Sequence, residues 1–174
     1  SDGRFTTFLS PDTVPNGIVH ALIEDQRGTI WIGSNGGLTR LENGTFRTFT
    51  TADGLSHNSV YSLYEDSAGV LWIGTYNGGL NRYDGSRFQA FTTATGLFDD
   101  VVYRILEDRY GYFWMSCNKG VYRTSRAGLE RVSRREATTI TSEAYGVADG
   151  MRTAECNGNV QPAGWRGRDG RLWF

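Results

Sequence analysis

A β-propeller, an all-β wheel built from four-stranded antiparallel blades, is the fold this sequence predicts, and three observations carry it. A Glu-Asp pair with Gly three and Trp six residues beyond the Asp occurs three times: Glu24-Asp25, Gly28 and Trp31; Glu65-Asp66, Gly69 and Trp72; Glu107-Asp108, Gly111 and Trp114. The three tryptophans lie 41 and 42 residues apart, and self-similarity at roughly 40–45 residues with four short strand-like runs per unit marks propeller blades. Composition agrees, since 13% aromatic residues suit sheets packed face to face, and 23 glycines against 3 prolines suit many tight turns. A further copy opens at Asp169-Gly170 and reaches Trp173-Phe174. Residues 1–174 therefore read as a single, incomplete propeller of about 3.5–4 blades.

Residues 1–8 hold an orphan outer strand, Arg4 to Phe8, and blade 1 covers 18–50, from Val19 through Trp31 and Gly36-Gly37-Leu38 to Phe49. Blade 2, at 59–92, is the clearest. Val60 to Asp66 is rich in β-branched and aromatic residues and reads as the innermost strand. Ser67-Ala68-Gly69 turns the chain into Val70 to Thr75, whose apolar run fits a strand buried on both faces. Tyr76-Asn77-Gly78-Gly79 turns again into Leu80 to Asp84, and Arg87 to Phe91 is the outer strand. Blade 3 is expected at 101–133, with its outer strand reaching about Val132. A long inter-blade loop follows at 134–159, and blade 4 starts at 160–174 with strands Val160 to Arg166 and Arg171 to Phe174.

A catalytic constellation is singular, whereas a residue present in every blade solves a problem that every blade shares. Asp before a tight turn accepts backbone N–H bonds, and Trp on the second strand fills the space between blades. Asp25, Asp66, Asp108, Trp31, Trp72, Trp114 and Trp173 are accordingly read as architectural. Arg40, Arg82 and Arg123, at equivalent third-strand positions, are read as snorkelling or pairing with acidic neighbours. Recognition is sought where the repeats differ, on the face that gathers the blade-to-blade loops and the second-to-third-strand turns. That face carries Asn16, Asn35, His57, Asn58, Tyr76, Asn77, Phe98, Asp99, Asp100, Asn118 and Lys119. Aromatic and amide side chains beside a few charges make a mouth for a small polar ligand or oligosaccharide.

A net charge of −1 leaves no electrostatic footprint for nucleic acid or anionic lipid. No run approaches the roughly 18 apolar residues of a membrane helix, so no direct membrane insertion is expected of this fragment. No metal or cofactor is expected. Cys117 and Cys156 lack CxxC spacing and a neighbouring His cluster, which argues against zinc; they are read as small buried hydrophobes, with a disulfide left open to them in an oxidising compartment.

From Asp53-Gly54-Leu55 and Asn58 through Trp72-Ile73-Gly74-Thr75 to Leu80, Arg82 and Tyr83, the second repeat resembles the two-component regulator propeller repeat. Tyr145 to Met151, Glu155-Cys156-Asn157 and Pro162-Ala163-Gly164 resemble the elongated repeat of such sensor propellers. The third repeat departs from the pattern at Trp114-Met115-Ser116-Cys117 and at Lys119. The resemblance implies a non-catalytic, periplasmic input module of a membrane-spanning histidine kinase or diguanylate cyclase-type receptor. In such receptors an immunoglobulin-like domain and a membrane helix follow the propeller. Two further readings share the fold. Streptogramin lyases have strands like Gly170-Arg171-Leu172-Trp173-Phe174, but by resemblance they need clustered His, Glu and His with magnesium, and this chain has only His20 and His57. His20 takes the slot of Tyr61 and Tyr103 and is read as a packed imidazole. A protein-interaction platform of the WD type lacks its Gly-His and Trp-Asp signatures here.

An open stack exposes two apolar blade faces, and burying ~500 Å² of them is worth roughly 12 kcal/mol. Closure is expected, through the orphan strand, through self-association or through further blades.

Overall fold

The computed structural model describes residues 13–14, 18–158 and 163–174. The expected orphan strand at Arg4 to Phe8, Asn16, and the first part of the Val160 to Arg166 strand lie outside the described residues. Three four-stranded antiparallel sheets follow one another, each in simple sequential order. The first holds β1 (Val19–Glu24), β2 (Ile30–Ser34), β3 (Gly37–Glu42) and β4 (Thr45–Phe49). The second holds β5 (Val60–Glu65), β6 (Leu71–Thr75), β7 (Leu80–Tyr83) and β8 (Phe88–Phe91). The third holds β9 (Arg104–Glu107), β10 (Tyr112–Cys117), β11 (Gly120–Ser125) and β12 (Ser142–Tyr145). A two-stranded piece, β13 (Trp165–Arg166) with β14 (Leu172–Trp173), begins a fourth. Strands β1, β5 and β9 pack against one another, so the first strand of each blade lies innermost, as a propeller requires.

In the three full blades, the hairpin between first and second strands is closed the same way. One oxygen of the Asp accepts two backbone N–H groups: for Asp66, those of Ala68 at 2.9 Å and Val70 at 3.1 Å. The other oxygen accepts the indole N–H six residues on, at 2.9 Å for Trp31 and Trp72 and 2.8 Å for Trp114. Gly69 turns at φ 75°, a left-handed conformation that costs other residues free energy. The preceding Glu works between blades. Glu65 accepts the backbone N–H of Gln26 at 2.9 Å, and Glu107 accepts the Tyr64 hydroxyl at 2.6 Å.

Two apolar cores fill the wedges. Trp31, Leu38, Phe49, Val60, Ile73 and Tyr83 pack between the first and second blades. Trp72, Phe91, Val102, Phe113, Met115 and Tyr122 pack between the second and third. The second strand of one blade and the chain entering the next approach so closely that a Cβ on Gly74 would stand 2.6 Å from the Val102 carbonyl.

The third blade differs from the boundaries expected above. Its outer strand is Ser142–Tyr145, inside the stretch read as a loop at 134–159, and the segment read as the strand ending near Val132 is a helix, α1 (Arg126–Ser133). Ser125 caps that helix by accepting the Gly128 N–H, and Leu129 is its fully buried anchor. Arg82 Nε donates to Glu130 at 2.9 Å and Arg126 Nε donates to Glu107 at 2.8 Å, docking the helix across the second and third blades. Trp173 also departs from its expected role. Gly167 takes the slot of the closing Asp, Asp169 instead pairs with Arg171, and the indole is 60% exposed.

Candidate ligand-binding site

The inner strands of the first two blades carry a bulge at equivalent places: the pairing of β1 with β2 shifts between Val19 and Ala21, and that of β5 with β6 between Val60 and Ser62. The residues at the shifts are His20 and Tyr61, and Tyr103 is their counterpart just ahead of β9. A bulge re-aims the side chain it carries, and these rings meet. His20 stacks on Tyr61 with centroids 4.1 Å apart, Tyr61 meets Tyr103 edge-on at 5.4 Å, and Tyr76 stands 5.8 Å from Tyr61 and 6.4 Å from Tyr103. Four rings from three blades thus form one aromatic surface at the start of the inner strands. Tyr76, on the β6–β7 turn, is 38% exposed and presents it to solvent.

Polar groups frame the rings. His20 Nε2 donates to Asn35 Oδ1 at 2.9 Å, while its buried Nδ1 has no partner among the described residues. Burial pushes the Tyr103 hydroxyl pKa up, against a hydrogen bond with Asn118 that lowers it. Lys119 Nζ sits 2.8 Å from Asp99 Oδ2; the carboxylate is buried, and the ammonium is two-thirds exposed, at 67%. That hydrogen bond and the Asp99 charge raise the ammonium pKa, so the cation persists at any physiological pH. Stacking faces, two amides and one cation suit a polar molecule with flat apolar patches.

The residues expected at this face divide into two groups. Asn35, Tyr76, Asn118, Lys119 and Asp99 stand at the aromatic surface. The other five serve the loops. Asn58 accepts the Thr51 N–H at 2.9 Å, Asp100 accepts the Thr93 N–H at 2.7 Å, and His57 Nδ1 accepts the Ser59 N–H at 3.1 Å. Phe98 packs on Tyr122 at 5.5 Å, and Asn77 supplies the turn's positive φ of 70°. Sequence reasoning placed His20, Tyr61 and Tyr103 in one slot but did not bring them to the surface. The signal was their shared place at the head of each inner strand.

Two other openings compete for attention. An axial cleft of about 420 Å³ runs beside Glu24, Tyr64, Glu65, Arg104 and Trp165. Arg104 replaces the Ala21 and Ser62 of the other blades, and its Nε has no partner among the described residues. A larger cleft of about 610 Å³ lies between the third blade and β14, lined by Tyr110, Trp114, Val121, Met151, Leu172 and Phe174. Its equivalents one and two blades earlier are the filled cores described above, so it is an inter-blade wedge in which the packing partners are few. Among the described residues no helix is long and apolar enough to cross a membrane.

The two component regulator propeller model matches residues 13–36, 54–77 and 96–119, once per full blade. Among solved structures, the chain is similar to the extracellular domain of the hybrid two component system BT4673 from B. thetaiotaomicron. Identity is 25% and TM-score 0.74, over 94% of this chain and 23% of that one. It is also similar to the extracellular domain of BT3049 from the same organism, with 19% identity and TM-score 0.75 over 97% of this chain and 22% of that one. Virginiamycin B lyase from Staphylococcus aureus shares the fold at 18% identity and TM-score 0.59, over 91% of this chain and 49% of the lyase. The chain therefore spans less than a quarter of the two extracellular domains and about half of the lyase. No curated protein matches it. Through its three matched repeats, the chain is similar to the two component regulator propeller family.

Proposed function

We propose that this chain is a non-catalytic, ligand-sensing part of the extracytoplasmic domain of a two-component-type receptor, and that the surface formed by His20, Tyr61, Tyr76 and Tyr103 recognises a small polar ligand or oligosaccharide. The observation that carries the reading is the convergence of those rings from three blades, His20 and Tyr61 at bulged positions, where a scaffold gains nothing from presenting Tyr76 to water. Sugar rings offer flat C–H faces to aromatic side chains and hydroxyls to amides, and both are present here. The extracytoplasmic location is supported by the extracellular domains to which the chain is similar.

The test is a thermal-shift screen of neutral and acidic oligosaccharides and small polar metabolites, with products followed by chromatography. Saturable stabilisation without turnover, lost in Tyr76→Ala, is the expected result. Product formation that depends on His20 or His57 would replace sensing with catalysis.

A further inference from the structure

The third blade breaks a rule that the other blades keep. The last residue of the second strand is Ser34 in the first blade and Thr75 in the second, and each hydroxyl closes the next turn on a glycine carbonyl, at 3.3 Å and 2.9 Å. In the third blade this residue is Cys117, whose thiol makes a long contact with the Gly120 carbonyl at 3.5 Å. The chain entering the following blade matters as much. After the second blade, Val102 N–H donates to the Thr75 carbonyl at 3.0 Å; after the third, the residue doing this is Cys156, whose N–H donates to the Cys117 carbonyl at 3.2 Å. Both substitutions at one inter-blade bridge are to cysteine, and these are the chain's 2 cysteines.

With about 1.5 Å from the amide N to its Cα and about 2.4 Å from the carbonyl O to its own, this bond keeps the two Cα atoms within about 7 Å, a range that overlaps the window of about 4.4–6.8 Å that a disulfide spans. Cys117 is fully buried and Cys156 half-buried, and both thiols are free in this structure. Cys156 also lines the large cleft beside the loosely packed fourth blade, an inter-blade wedge left unfilled among the described residues.

We infer that Cys117 and Cys156 form a disulfide that staples the chain entering the fourth blade to the second strand of the third. The oxidant is a disulfide, either a dithiol oxidase or oxidised glutathione. The more accessible Cys156 thiolate attacks a sulfur of that disulfide and displaces one thiol. Buried Cys117, as its thiolate, then attacks the Cys156 sulfur and displaces the second. Two thiol protons leave the chain, one sulfur–sulfur bond forms in it, and the oxidant's own disulfide ends as two thiols. Such a bond persists in an oxidising compartment, but its formation in vitro does not depend on where the receptor resides or on what it senses.

The full chain, reduced and then incubated with oxidised glutathione, is unfolded in urea with a maleimide and weighed intact. The expected species has lost two hydrogen atoms, carries no maleimide, and yields one peptide pair linking Cys117 to Cys156. It also unfolds at a higher temperature than the reduced chain. Cys117→Thr, which restores the hydroxyl found at Thr75, and Cys156→Ser keep the circular dichroism spectrum of a β protein and lack that thermal gain. Two labelled thiols, glutathione trapped on Cys156 alone, or only intermolecular dimers would each overturn the inference.

Discussion

Trp72 and Trp114 sit in the same motif, held by the same bond to an aspartate, and differ in what lies across the wedge. Trp72 is fully buried, with Phe113 of the next blade edge-on at 4.9 Å and Phe91 beneath it. Trp114 is half-buried; it stacks on Tyr145 of its own blade at 5.3 Å, lies under Arg123, and borders the 610 Å³ cleft. The repeat unit determines the hairpin and the tryptophan's orientation, while its stabilising worth comes from the neighbouring blade. A blade is thus half a core, and its second half is supplied by the next unit.

The largest effect expected from this contrast is at the tryptophans. Trp72→Ala removes a fully enclosed side chain and should cost about 4 kcal/mol, against about 1–2 kcal/mol for Trp114→Ala. For a domain of this size that is roughly 10 °C against 5 °C in melting temperature. Equal losses would mean that the neighbouring blade contributes little. Next come the aspartates. Asp66→Ala leaves a buried indole N–H and two backbone N–H groups without an acceptor and should cost about 2–3 kcal/mol, with Asp108→Ala costing less because water reaches its turn; chemical denaturation of both variants measures the difference.

Acid sharpens the same comparison. Burial pushes the carboxyls of Asp25 and Asp108 up, but the hydrogen bonds from Trp31 and Trp114 and from the turn N–H groups together outweigh it, so both are held below the usual carboxylate range. Their contribution to folding is complete above about pH 4, the unfolded value, and drains away as the pH falls below it. Melting followed from pH 6 to about pH 2 should show a falling midpoint, with a shallower fall in Asp108→Asn. A smaller effect belongs to the helix: Glu130→Ala removes the helix partner of Arg82, which keeps Asp84, and should cost roughly 1 kcal/mol, detected as faster hydrogen exchange confined to 126–133. Tyr76→Ala should cost about 0.5–1 kcal/mol, since its partly exposed ring touches Tyr61 and Tyr103.

The wheel was legible because each blade repeats the same solution at nearly the same spacing, and the Asp–Trp bond explains why those two residues recur together. The inserted helix was not read, although two marks pointed to it. Gly54, Gly96 and Gly150 each end an identical short 3₁₀ turn after an outer strand, with φ of 100°, 97° and 98°. The second interval exceeds the first by a dozen residues, the length of an insertion. Leu129 and Val132 have helical rather than strand spacing, and β12, Ser-Glu-Ala-Tyr, is too short and polar to announce itself. The candidate site was legible in its rim, at Asn35, Tyr76, Asn118 and Lys119, because turns stand out in a repeat. Its floor was not, because a one-residue bulge turns His20 and Tyr61 in a direction that period-two alternation does not encode.

The most direct single measurement is hydrogen exchange of the full chain with and without a compound that stabilises it. The expected result is slowed exchange at 18–20, 59–61, 76–79 and 101–103, with the Asp–Trp hairpins unchanged. Protection confined to the cleft beside Trp114 and Leu172 would contradict recognition at the aromatic surface.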